Sequence, residues 1–210
     1  MRQAPRDAVW IGGAFAAAVG AAALVLALLG ADKRGSSAAL AATARIAFLF
    51  FWPAYAGSAL ALLFGRVGYP IKARGRVLGL AFAAAMLVHS FLIAWLCAIG
   101  HAPAAGVFLI FSPALLMTYA LALASFGTWQ SGLNHRIWKI MRLVGMNYIA
   151  FVFAYDFLRN PLGGGVKHIV EYLPFAVLAV AGPGLRLVAG VKDKVKAGGM
   201  KPFPQTPSLT

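Results

Sequence analysis

Residues 76–100 read RVLGLAFAAAMLVHSFLIAWLCAIG, and after Arg76 no formal charge appears before Gly100. About 20 consecutive apolar residues carry an α-helix across the hydrocarbon core of a bilayer, so this stretch is long enough to span one. In hydrocarbon only a helix or a closed barrel satisfies its own backbone, and the run lacks the two-residue alternation of barrel strands. Comparable charge-free runs extend from Val9 to Ala31, from Ile46 to Gly65 and from Ala102 to Asn134. Two weaker segments follow. Leu143 to Tyr155 is short, but Arg136, Lys139 and Arg142 can snorkel at its start; the last segment contains Pro174, Pro183 and Arg186. The spacing predicts an all-α polytopic membrane bundle of six transmembrane helices, over residues 9–30, 45–65, 76–99, 105–127, 138–158 and 170–190.

Composition points the same way. Of 210 residues, 61% are hydrophobic and 11% charged, against about 45–50% and about 25% in a soluble domain. The net charge of +14 does not indicate nucleic acid, because the basic residues sit in the short gaps between apolar runs. Fourteen Lys and Arg fall on one side of the alternating plan and five on the other. By the positive-inside rule this predicts a bacterial inner (cytoplasmic) membrane protein with residues 1–8 and the basic tail 191–210 both cytoplasmic. Arg66, Lys72, Arg74 and Arg76 read as topology signals and contacts for anionic lipid headgroups. The tail beyond Lys192 is expected to be partly disordered. The first run exceeds a secretory signal core and no clear cleavage site closes it, so a retained helix is expected. Cys97 stands alone and can form no intrachain disulfide or cysteine cluster.

His89 is the most informative residue. It lies near the middle of the third span, where an ionisable side chain is costly and faces a bundle interior, a partner or a cofactor. Imidazole is a common axial haem ligand; an interhelical hydrogen bond to a hydroxyl explains it equally well. Elsewhere the reading is structural. Met86, Met117, Met141 and Met146 are expected to pack, and His101 to lie in a loop. His168 and Glu171 should form an interfacial polar cap, and Asp156 and Arg159 a local ion pair. Gly12, Gly13 and Gly20 suit close packing of the first helix, and residues 160–165 suit a flexible turn. No catalytic set can be assembled.

The segment from Arg76 to His89 resembles the third helix of the ferric reductase-like transmembrane domain. That family includes ferric reductases, the membrane domains of NADPH oxidases and the haem-binding membrane subunit of a bacterial methionine sulfoxide reductase. The segment Trp138-Lys-Ile-Met-Arg142-Leu-Val-Gly145-Met-Asn-Tyr148 is similar to the family's fifth-helix pattern. The resemblance covers roughly residues 45–160, together with the six-span plan and cytoplasmic termini. It implies haem b held between the third and fifth helices. The two fifth-helix histidines of the family correspond here to Arg142 and Tyr155, so ligation by two histidines is lost.

His89 lies 13 residues beyond Arg76 and Tyr155 lies 13 beyond Arg142, each about 20 Å along a helix. The third and fifth helices run in the same direction, which gives an inner layer of Arg76 and Arg142 and an outer layer of His89 and Tyr155. The resemblance implies at most one haem, with His89 on the iron and Tyr155 opposite, since phenolate is a known haem ligand. A His89–Tyr155 hydrogen bond in a haem-free bundle satisfies the same spacing. The first reading is a haem b electron-transfer subunit fed by a separate electron donor, the quinone pool or a partner membrane subunit, with no flavin or nicotinamide module of its own. The alternative is a haem-free scaffold or accessory subunit of a larger membrane complex. A transporter ranks third, because apart from His89, Pro53 and Pro113 the spans are uniformly apolar.

Overall fold

A computed structural model describes residues 4–125, 134–159, 162 and 165–199. Most of the glycine-rich 160–165 segment and all of the tail after residue 199 lie outside the described residues. The described chain forms α1 (Ala4–Leu29), α2 (Lys33–Phe64), a 3₁₀ turn (Gly65–Val67), α3 (Tyr69–Ala73), α4 (Gly75–Ala98), α5 (Ala105–Ala124), α6 (His135–Leu158) and α7 (Val166–Gly199), with no strand. All but the short α3 contain a segment long and apolar enough to cross a membrane. Large apolar side chains such as Phe91, Leu109 and Leu116 are exposed on the outside of the bundle, as a lipid-facing surface requires. The chain is an integral, multi-pass membrane protein.

Two boundaries differ most from the sequence expectation. α2 begins at Lys33, not near residue 45, because the Asp32 side chain caps it by accepting from the Gly35 N–H at 2.9 Å. Behind that cap Ser36–Thr43 is rich in alanine, the best helix former; a count of charge-free residues treats Lys33, Arg34 and Arg45 as loop and misses it. At the other end α7 continues to Gly199, so residues 192–199 of the tail expected to be partly disordered are helical. Val191 and Val195 alternate there with Lys192 and Lys194 in an uninterrupted helix-compatible run. At 1.5 Å per residue, the 34 residues of α7 are about 51 Å long, well beyond a hydrocarbon core of about 30 Å.

α2 is the hub. It packs against α1, α4 and α7, while α4, α5, α6 and α7 follow one another around it. In lipid, helix association depends on close van der Waals fit and interhelical hydrogen bonds, which favours small residues at the contacts. Ala14, Ala18 and Ala22 form the buried stripe of α1 at four-residue spacing, opposite buried alanines such as Ala39 and Ala85. The glycines expected to do this do not. Gly12, Gly13 and Gly20 are exposed, and a Cβ on any of them meets nothing within 4 Å. Their helical phase places them about a quarter to a half turn from the alanine stripe.

The centre is aromatic. Phe48 and Phe51 of α2 meet Phe153 of α6 at ring-centroid distances of 5.0 and 5.4 Å, and Phe51 meets Phe82 of α4 at 5.1 Å. Phe157 and Phe175 extend the cluster to α7 at 5.3 Å. The basic ends gather on one face of the bundle. Arg74, ahead of α4, lies 5.8 Å from the Trp10 ring of α1, and Arg186 of α7 lies 4.4 Å from the Tyr55 ring of α2.

Candidate functional site at the basic end of the bundle

Two half-open cavities meet at the basic end. The smaller, about 140 Å³, lies among α2, α4, α5 and α6 and is lined by Arg76, Arg142, Trp138, Thr118, Ser125 and apolar side chains that include Phe51, Phe82 and Ile149. The larger, about 430 Å³, lies among α2, α6 and α7 and is lined by Tyr55, Ser58, His135, Lys139, Arg142 and Arg186 among others. Ala54, Trp138, Arg142 and Met146 belong to both linings, so Arg142 stands in the shared wall. Arg76 and Arg142, placed in one layer by their spacing, therefore do line one cavity.

Local sequence explains how these cations reach the site. Asn134 caps α6 by accepting from the Arg136 N–H at 2.9 Å, which fixes the helix start. Trp138, Lys139 and Arg142, spaced by three and four, then fall on one face. Gly145, one turn further, lets α5 close in: a Cβ there would sit 3.0 Å from the Leu121 side chain. The Tyr55 hydroxyl donates to Asn147 Oδ1 at 2.8 Å, and Asn147 donates to the Leu143 carbonyl at 2.8 Å. That chain of bonds ties α2 to α6 beside the larger cavity.

The charge at this site is one-sided. The only acids in the sequence are Asp7, Asp32, Asp156, Glu171 and Asp193, and none of them lines either cavity. Arg76, Lys139 and Arg142 are exposed into the cleft and Arg186 is half-buried over Tyr55. The arginines carry fixed forks of N–H donors suited to carboxylate or phosphate. Sequence reasoning missed Arg186 and Tyr55 as site residues. Arg186 had a visible signal, a cation inside an apolar run.

The outer layer is not brought together. His89 Nδ1 lies 3.1 Å from the hydroxyl of Thr43 on α2. That hydroxyl also lies 3.0 Å from the Ala39 and Leu40 carbonyls; with its proton directed to either, it accepts from Nδ1–H. Tyr155 is 39% exposed and its ring lies 6.4 Å from that of Phe151, itself an outward-facing residue. No hydrogen bond joins His89 to Tyr155, and the expectation that they face one another is corrected: α2 supplies the partner. The physical reason is helical phase, since equal depth along two helices does not set which way each residue points. Between α4 and α6 stand the packed rings of Phe51, Phe82 and Phe153. A haem held between these helices by His89 and Tyr155 does not fit this arrangement.

The opposite end of the bundle is differently composed. Arg45 pairs with Glu171 at 3.8 Å and lies 4.9 Å from the Tyr172 ring, and His168 stacks on Tyr172 at 4.2 Å. The expected Asp156–Arg159 pair is not formed within 4.0 Å, although the Arg159 charge still acts on Asp156. Met86, Met117 and Met146 pack against the apolar core, and His101 is exposed between α4 and α5. Among the described residues no group of three or more His, Cys, Asp or Glu is placed to hold a metal ion. No family model, curated protein or solved structure matches this chain.

Proposed function

We propose that this chain is a bacterial inner-membrane protein that binds a phosphate-type anion in the cleft at its basic, cytoplasmic end, without haem. The observation that carries the reading is the set of Arg76, Lys139, Arg142 and Arg186 around two adjacent cavities with no acidic side chain in either lining. Among the described residues none of these cations has a carboxylate within 4.0 Å, and Arg142 stands between Arg76 in the smaller cavity and Lys139 and Arg186 in the larger. Arginine binds phosphate through two parallel N–H donors, and such charge-assisted bonds are about twice as strong as neutral ones. The ferric reductase-like resemblance enters this proposal only as the six-span plan. The role assigned is binding within the membrane, as an accessory or receptor component.

The test uses full-length protein purified in a neutral detergent. Pyrophosphate or phosphatidic acid, at about 100 times its dissociation constant, is expected to stabilise the fold by about 2.7 kcal/mol, read as a rise in melting temperature. Arg142→Gln should remove most of that rise. The dithionite-reduced preparation from haem-replete cells should show no Soret band. A Soret band lost in His89→Ala, or no response to either anion, overturns the proposal.

A further inference from the structure

We infer that the occupant of the cleft is an anionic membrane lipid with a phosphate headgroup, its phosphate at Arg142 and the first few methylenes of a chain in the smaller cavity; this rests on the anion-binding reading above. The smaller cavity changes character with depth. Its mouth has Arg76 and Arg142, and its lining continues to Phe82 on α4 and Ile149 on α6. Those residues lie six and seven positions further along their helices, which is about 10 Å toward the middle of the membrane. A soluble phosphate uses the cationic mouth and leaves the apolar shaft unfilled. An amphiphile fills both.

Three further observations agree. Trp138 belongs to both cavities, and indole side chains favour the headgroup level, where one end is apolar and the other wet. The larger cavity supplies the polar surroundings a headgroup needs, with Tyr55, Ser58, Lys139 and Arg186 in its lining. Basic pockets between transmembrane helices are established headgroup sites in general. Finally, Gly79 lines the smaller cavity, and a Cβ there would meet nothing within 4 Å. The wall of the shaft is thus open at Gly79, where a Cβ is accommodated without displacing backbone.

The experiment compares phosphatidic acid, phosphatidylcholine and pyrophosphate on the full-length protein in neutral detergent, by melting temperature and by native mass spectrometry. Phosphatidic acid should bind saturably and raise the melting temperature, phosphatidylcholine should do neither, and Arg142→Gln should weaken phosphatidic acid at least tenfold. Gly79→Leu should weaken phosphatidic acid at least tenfold. If pyrophosphate stabilises as well as phosphatidic acid and Gly79→Leu alters neither, the lipid inference falls and the anion site stands. If neither anion gives an Arg142-dependent response, both fall. Should a variant fail to fold, competition between the two lipids on the wild-type chain decides: unselective or unsaturable adducts overturn the inference.

Discussion

At the scale of single residues, the bond between His89 and Thr43 shows what burial does to a polar side chain in lipid. The imidazole has no water to return to, so its partner must come from a neighbouring helix, and α2 offers a hydroxyl at 3.1 Å. Such interhelical bonds average only about 0.6 kcal/mol, because the unfolded chain in the membrane also finds partners. Thr43→Val keeps the shape and removes the hydroxyl. Measured in wild-type and His89→Ala backgrounds by unfolding in mixed detergent, it should show a coupling of about 0.6 kcal/mol; a coupling near zero would mean the contact is incidental. The need for a partner was legible in the sequence, since a histidine at mid-span requires one. Which partner was not, because Thr43 is one hydroxyl among several and depth alone does not report helical phase.

Elements show the same division between what a one-dimensional pattern carries and what it omits. The positions of the six apolar segments followed from run length, because bilayer thickness imposes it. The start of α2 and the end of α7 did not, since caps and helix-forming residues continue a helix past the hydrocarbon into water, where charge is no obstacle. The turn between α2 and α4 adds a constraint invisible to run length. α3 folds back so tightly on α2 that a Cβ on Gly68 would stand 2.3 Å from the backbone at Leu60 and Ala61. Backbone on both sides cannot rotate away as a side chain does. Gly68→Ala should therefore destabilise by about 1–3 kcal/mol, the usual range for overpacking. Gly12→Ala, at an open position of α1, should be neutral or slightly stabilising. Equal melting temperatures for the two variants would show that the α2–α3 turn relaxes freely.

For the whole molecule the decisive asymmetry is between its two ends. Arg76, Arg142 and Arg186 gather around cavities at one end, whereas at the other Arg45 is neutralised by Glu171. The charge count that separates these ends in the sequence, fourteen Lys and Arg against five, is a statement about insertion, because cytoplasmic loops retain positive charge. It also bears on the cleft, since the cytoplasmic leaflet carries the anionic lipid that draws basic segments to it, by about 1 kcal/mol per cation near the surface. Topology and binding thus make one joint prediction. Green fluorescent protein fused to the C-terminus should fluoresce, and alkaline phosphatase fused after His101 should be active, because the α4–α5 connection lies at the opposite end from the cleft. Reversed signals would put Arg142 on the outer face of the membrane. The cations would then face away from the lipid that the cytoplasmic leaflet supplies, and a phosphate ligand would have to come from the outer leaflet instead. The bundle itself would be unchanged, because the hub position of α2 and the aromatic centre depend on helix packing and not on which way the chain is inserted.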